Sequence, residues 1–323
     1  MTQPSASASI SIPKQSLSEE LRDYAGIAYI DGVYVPLAEA RIPILDRGFV
    51  RSDATYDVAH VWKGSFFRLA DHVDRFFESM AGLRFNLRMT KQEVTDVLIE
   101  CVRRGGLRDA YVQMTCTRGV PPKGTRDPSM CINRFYAFAG PFVWIANDDQ
   151  RKRGLRMVIS SVERIPPESV DPRIKNFHWI DLTRGIFDAY DHNAEVGILV
   201  DRWGNITEGA GFNVFIVEAG KLSTPASGVF EGMTRRTVFD LCREVGLGCE
   251  TGAIDAARLV HADEIFITST AGGIMPVTVL DGCPIGNGAP GPMTQRIHDL
   301  YWSKKESGWL ATPVDYGQDR AVG

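Results

Sequence analysis

Along Leu69–Leu83 (LADHVDRFFESMAGL), apolar side chains recur at Val73, Phe76, Phe77, Met80 and Leu83. This three- and four-residue spacing predicts a helix with one buried face. A second helix is predicted from about Lys91 to Arg104, ended by Gly105-Gly106. Strands flank the pair. Gly26–Pro36 reads as a hairpin turning at Asp31-Gly32, and His60–Arg68 as another turning at Lys63-Gly64. Ala110–Thr117 and Phe135–Trp144 alternate as strands on either side of a Gly/Pro-rich loop. The first half therefore reads as strands with two helices between them, an α+β unit.

A polar run, Ala146–Gly154, then carries no apolar period and marks a boundary. Beyond it the pattern predicts a strand over 155–162 and a helix from about Trp179, on Ile180, Leu182, Ile186, Phe187 and Tyr190. Strands follow over 195–201, 211–217 and 221–224, then a helix over 233–245 closed by Gly246. A short helical unit over 253–261, strands over 262–270 and 274–280, and a helix over 293–304 complete the chain before a polar tail. The domain reading is a flexible, Ser/Ala/Pro-rich arm over 1–22, a small domain over 23–145, a linker over 146–152 and a large domain over 153–323.

Composition narrows the function classes. A net charge of −4 leaves no basic stripe for nucleic acid or an anionic membrane surface. No apolar run approaches the length of a membrane span, and the N-terminus lacks the pattern of a signal peptide. The six cysteines are scattered, without metal-ligand spacing, and read as reduced thiols of a cytoplasmic protein; no metal is expected.

The candidate chemistry lies in the second half. Lys175 sits between Ile174 and the Phe177/Trp179 pair, just before or at a helix start. Apolar neighbours and the helix dipole both favour a neutral, nucleophilic amine there, although a surface lysine at a helix start fits the local sequence as well. Thr207-Glu-Gly-Ala-Gly-Phe-Asn213 embeds Glu208 among glycines, where backbone can approach a ligand closely. Glu231-Gly-Met-Thr-Arg-Arg236 enters a helix whose first N–H groups suit an anion. Thr268-Ser-Thr-Ala-Gly-Gly273 follows an apolar strand with hydroxyls and amides suited to phosphate oxygens. Each alone reads equally as a turn, a cap or a polar loop. Together, a lysine and two phosphate-type loops point to a phosphorylated cofactor that condenses with an amine, pyridoxal 5′-phosphate (PLP).

Ile174-Lys-Asn176, Glu208-Gly-x-Gly-x-Asn213, Glu231-Gly-Met-Thr-Arg235 and Thr270-Ala-Gly-Gly273-x-x-Pro276 resemble, in order and spacing, the motifs of the fold-type IV PLP enzymes. That family comprises branched-chain and D-amino acid aminotransferases and aminodeoxychorismate lyases, and the resemblance covers about residues 26–305. It implies a two-domain α+β fold, with a smaller N-terminal α/β domain and a larger β-barrel-like domain with helices, assembled as a homodimer. It also implies Lys175 as the Schiff-base lysine and Glu208 as the partner of the pyridine nitrogen. Arg75, Met233, Thr234 and Thr270 would hold the phosphate, with Phe230 against the ring.

Gly48–Trp62 looks most like the (R)-selective amine transaminases, which move an amino group from an (R)-amine or D-alanine to a keto acid such as pyruvate. By that resemblance Arg51, Tyr56, Val58, Trp179 and Ala271 line the substrate pocket, and strand periodicity puts Tyr56, Val58 and His60 on one face. Arg126, in Gly119–Arg126, would meet a substrate carboxylate, with Arg118 competing for that role. The branched-chain, D-amino acid and lyase activities of the same fold remain alternatives.

Overall fold

The computed structural model describes residues 24–317, so the arm predicted over 1–22 lies outside the described residues. Two sheets organise the chain. The first contains β1 (Ile27–Ile30), β2 (Val33–Pro36), β3 (Ala54–Trp62), β4 (Ser65–Phe67), β5 (Ala110–Thr117) and β6 (Arg134–Pro141). The second contains β7 (Leu155–Glu163), β8 (Val196–Val200), β9 (Asn213–Glu218), β10 (Lys221–Pro225), β11 (Cys249–Gly252), β12 (Glu264–Ser269) and β13 (Gly273–Leu280), with the short β14 (Cys283–Pro284) paired to β13. A last strand, β15 (Ala311–Pro313), returns to the first sheet beside β4.

The first sheet is antiparallel throughout, in the order β15-β4-β3-β5-β6-β1-β2. One face carries α2 (Leu69–Gly82) and α3 (Lys91–Gly105), which follow the five-residue α1 (Arg47–Arg51). Val73, Phe76 and Met80 of α2 and Val94, Leu98 and Val102 of α3 bury their stripes against Ala59, Val61, Val112 and Met114. Apolar burial of this kind is the main stabilising term in any such core. Period two along β3 thus turns Ala59 and Val61 to the helices and Tyr56 and Val58 the other way.

The second sheet runs β11-β10-β9-β12-β13-β7-β8 and is mixed, parallel at β10/β11, β13/β7 and β7/β8. After α4 (Asp148–Arg153), it is accompanied by α5 (Ile180–Asp191), α6 (Met233–Glu244), α7 (Ala257–His261) and α8 (Pro292–Glu306). Its two apolar clusters, one around Ile198, Val214 and Ile267 and one around Phe215, Leu241 and Tyr301, are as dry as the first core.

Three local expectations change, and one element is new. The polar run after Ala146 is helical: Asn147 and Gln150 form a reciprocal capping box that starts α4 without any apolar stripe. The strand expected over 135–144 ends at Pro141. The unit expected as helical over 253–261 shortens to α7, and β11 precedes it. Finally, Arg47–Arg51 is a helix because the Asp46 carboxylate accepts from the Gly48 N–H at 2.8 Å.

Candidate active site

The loop before α5 is tied to the first sheet by its backbone. The Lys175 carbonyl accepts from the Tyr56 N–H at 3.0 Å and the Thr55 hydroxyl at 2.8 Å, and Asn176 bridges to Thr55. From below, Ile174 packs on Gly82 of α2, where any Cβ would stand 2.8 Å from the Ile174 Cδ1. Lys175 is thereby fixed four residues before Trp179, the N-cap of α5. Its Nζ lies 4.4 Å from the Phe230 ring centre and 4.6 Å from that of Tyr56. Burial pushes its ammonium down from the ordinary 10.5 to about 8, while Asp57 opposes and Arg75 assists. Of the two causes the sequence suggested, burial among apolar neighbours is the one at work, since Lys175 stands four residues ahead of the α5 N-cap.

Around this amine lies a cavity of about 270 Å³. Every residue predicted to touch the cofactor lines it: Arg75, Glu208, Phe230, Met233, Thr234 and Thr270. So do four of the predicted substrate residues, Tyr56, Val58, Trp179 and Ala271. Two do not. Arg51 borders an adjoining cavity that shares Ile174, Asn176 and His178 with the first, and Arg126 stands in an exposed loop. The competing Arg118 is committed elsewhere: its Nη2 donates to Asp53 at 3.0 Å and to the Leu83 carbonyl at 2.9 Å. His60 shares a strand face with Tyr56 and Val58, as the period of two predicts, and stacks farther along it on Phe142 at 3.8 Å.

Three anchoring points surround the lysine. At one end, α6 begins at Met233 without a side-chain cap on Gly232, which leaves its first amides available. Arg75 stands beside that helix start, with Nη1 donating to the Glu231 carbonyl at 2.7 Å. Its Nε and Nη2 donate to the two Asp57 oxygens at 2.8 and 2.9 Å. That paired guanidinium holds the buried Asp57 carboxyl well below the usual range, against the opposing effect of burial. At the other end, Glu208 is buried, and its Oε2 accepts from the Phe230 N–H at 2.8 Å while Oε1 accepts from the Arg164 Nη2 at 3.0 Å. Burial raises the Glu208 carboxyl and Arg164 opposes that rise. Between the two ends, Asn213 clamps the Phe230–Gly232 turn, donating to the Phe230 carbonyl at 2.7 Å and accepting from the Gly232 N–H at 3.2 Å.

The donor set fits PLP. Uncapped helix amides, an arginine and threonine hydroxyls suit a phosphate dianion. A buried carboxylate suits a protonated ring nitrogen, an aromatic face suits a flat ring, and a lysine of lowered pKa suits an aldehyde. Sequence reasoning missed Asp57 and Arg164. Asp57 had a signal, since it is the one acid inside the apolar run Ala54–Trp62. Arg164 had none: it meets Glu208 only because β7 and the Glu208 loop both pack against β8.

A family model described as amino-transferase class IV matches residues 54–280. A protein of Methanocaldococcus jannaschii, named provisionally as a branched-chain-amino-acid aminotransferase, is 31% identical over 276 residues, 84% of this chain and 94% of the relative. The D-alanine aminotransferase of Bacillus licheniformis is 29% identical over 269 residues, 83% and 93% of the two chains. A solved structure, the branched-chain amino acid aminotransferase of Thermobaculum terrenum in its PLP-bound holo-form, superposes with a TM-score of 0.81 at 27% identity, covering 90% of this chain and 99% of that one. Among the described residues no helix is long and apolar enough to cross a membrane, and no cluster of metal ligands occurs. With its fold, its lysine-centred cavity and these relatives in agreement, the chain belongs to the class IV aminotransferases, PLP enzymes of fold type IV.

Proposed function

We propose that this aminotransferase takes its amino group from a primary (R)-amine or from D-alanine and delivers it to a keto acid such as pyruvate, working as a cytoplasmic homodimer. The observation that carries the reading is the state of the arginines in the cavity. Arg75 is bidentate on Asp57, and Arg164 is shared between Glu208 at 3.0 Å and Asp181 at 2.5 Å. Neither is left for a substrate carboxylate, so that of D-alanine or of the keto acid would have to be met by a residue from outside the cavity. The remaining walls offer Tyr56, Val58, Tyr111, Ile145 and Trp179, which favour an apolar amine substituent. Arg126, on its exposed loop, is the proposed partner of the acceptor's carboxylate, and Arg51 the proposed charge at the mouth.

When bound, the cofactor supplies the carbonyl that receives the amino group and a ring that takes up the electrons left by a departing proton. Lys175 would hold the cofactor and then, displaced as a free amine, carry a proton between the substrate carbon and the cofactor. Its lowered pKa keeps a useful fraction neutral near pH 8. Glu208 would keep the ring nitrogen protonated, with Arg164 opposing the rise in its pKa that burial causes. Trp179 and Tyr56 would bound the space for the amine substituents, and Phe230 would shield one face of the ring from water.

A D-amino acid or branched-chain transaminase is the second reading, favoured by the names of the relatives. The test follows the absorbance of the holoenzyme on separate additions of (R)- and (S)-1-phenylethylamine, D-alanine and L-leucine. Bleaching by the (R)-amine with recovery on pyruvate supports the proposal. Bleaching by L-leucine alone replaces it with the branched-chain reading, and by D-alanine alone with the D-amino acid reading.

A further inference from the structure

The buried side of α2 is split in character. Val73, Phe76 and Met80 enter the apolar core, whereas His72, Arg75 and Ser79, spaced three and four residues apart, form a buried polar row. A buried polar side chain is costly unless its hydrogen bonds are made, so a row of them needs partners. The partners here belong to the site. Asp57 of β3 meets both His72 and Arg75, and the Ser79 Oγ accepts from the Lys175 backbone N–H at 3.4 Å. Arg75 lines the cavity around Lys175, and His72 stands behind it without lining that cavity.

Four hydrogen bonds converge on the buried Asp57 carboxylate. Its Oδ1 accepts from the Val58 N–H at 2.7 Å, the His72 Nδ1 at 2.8 Å and the Arg75 Nη2 at 2.9 Å. Its Oδ2 accepts from the Arg75 Nε at 2.8 Å. An ionised carboxylate only accepts, so the ring proton of His72 stands on Nδ1. Burial, assisted by the charges of Arg75 and Lys175 and opposed by Asp57, lowers the His72 pKa from the ordinary 6.5. At neutral pH the ring is therefore a neutral donor, which fixes the carboxylate without competing for its charge. The Asp57 fork then meets the Nε/Nη2 edge of Arg75, and Nη1 is left to donate to the Glu231 carbonyl at 2.7 Å, beside the uncapped start of α6. A free arginine has many rotamers to lose when it meets an anion, whereas this one is placed beforehand.

We infer that His72 is a positioning residue for the cofactor's phosphate, holding the Arg75 guanidinium at the start of α6 through Asp57. It acts at one remove, so its effect falls on the phosphate end of the cofactor and not on the aldehyde end at Lys175. The inference rests on the assignment of Arg75 to the phosphate, and Arg75→Met tests that assignment separately.

The probes are PLP, pyridoxal, which lacks the phosphate, and inorganic phosphate. Each is titrated into the full-length apoprotein, the first two by absorbance and the third by competition with PLP. His72→Phe should weaken PLP and inorganic phosphate about tenfold each, a loss of about 1.4 kcal/mol, and leave pyridoxal unchanged. His72→Asn, whose side-chain amide keeps a donor for Asp57, should recover most of that loss. The losses in His72→Phe and Asp57→Asn should not add, because both act through one carboxylate. Where the phenyl ring prevents folding, His72→Ala carries the same comparison. Equal losses for PLP and pyridoxal mark a histidine that only supports the fold, and overturn the inference. Additive losses, an asparagine variant no better than phenylalanine, or parental phosphate affinity in His72→Phe beside a loss in Arg75→Met do the same. Parental phosphate affinity in Arg75→Met removes the assignment of Arg75 itself, and the inference with it. None of these readouts depends on which amine is the natural donor.

Discussion

Arg164 Nη2 donates to Glu208 Oε1 at 3.0 Å, and both residues are buried. The pair is completed by Asp181, which accepts from the Arg164 Nη1 at 2.5 Å. Removing the arginine leaves two carboxylates in a dry site, the costly way to break a buried pair. Arg164→Leu should lose about 3–5 kcal/mol of stability and shift Glu208 further toward its protonated form. Urea unfolding and cofactor affinity, each followed against pH, check this. An unchanged affinity at neutral pH would remove Arg164 from the site.

The Arg75–Asp57 pair has a pH signature. Asp57 is held below its ordinary carboxylate value by Arg75 and His72, so its folded pKa is depressed. The unfolded chain binds the proton more readily, and the contribution is present above the ordinary value of 3.8 and lost as pH falls below it. The stability gap between the parent and Asp57→Asn should therefore narrow in acid, as measured by denaturant midpoints between neutral pH and pH 3.

Lys175 has the opposite form. Its folded pKa, about 8, lies below the unfolded 10.5, so the unfolded chain holds the extra proton between those values and stability rises with pH across that window. Apoprotein should gain thermal stability from pH 8 to 10.5, and Lys175→Met should abolish that gain. The rate of cofactor capture by apoprotein should climb through a pKa near 8 for the same reason. A rate flat from pH 7 to 9 is the contrary result.

Gly209 follows Glu208 where no side chain fits: a Cβ would stand 2.1 Å from the Phe212 Cζ and 2.5 Å from the Gly197 carbonyl oxygen. Gly209→Ala must move the Glu208 loop, at a cost of about 1–3 kcal/mol or more. Cofactor affinity should fall with thermal stability, and a variant with parental affinity would show that the loop has slack.

Arg118 and Arg126 should separate cleanly. Arg118 holds Asp53 and the Leu83 and Arg84 carbonyls and stacks on Phe85 at 4.2 Å, so Arg118→Ala should lower the melting temperature. Arg126→Ala should leave melting unchanged and raise KM for the keto acid while sparing KM for a neutral amine. An unchanged keto acid KM would exclude Arg126 from acceptor binding.

The sequence alone carried most of the elements, because the helices and strands here have clear apolar periods and glycine-marked turns. It also carried the four motifs around Lys175, Glu208, Met233 and Thr270, since each is a local pattern with a local chemical logic. Where pattern was absent, tertiary structure decided. α4 forms from caps rather than an apolar stripe, and β15 pairs with β4 across most of the chain length, which no local signal encodes. The partners that set the site's charges, Asp57 for Arg75 and Arg164 for Glu208, stand 18 and 44 residues away on other elements, and only the folded packing brings each pair together. Burial is a property of the folded neighbourhood, so the lysine's lowered pKa also comes from packing and not from its place in the chain. Arg51 and Arg126 show the same limit from the other side: a matching motif names the residue type, and only the fold says where the side chain stands.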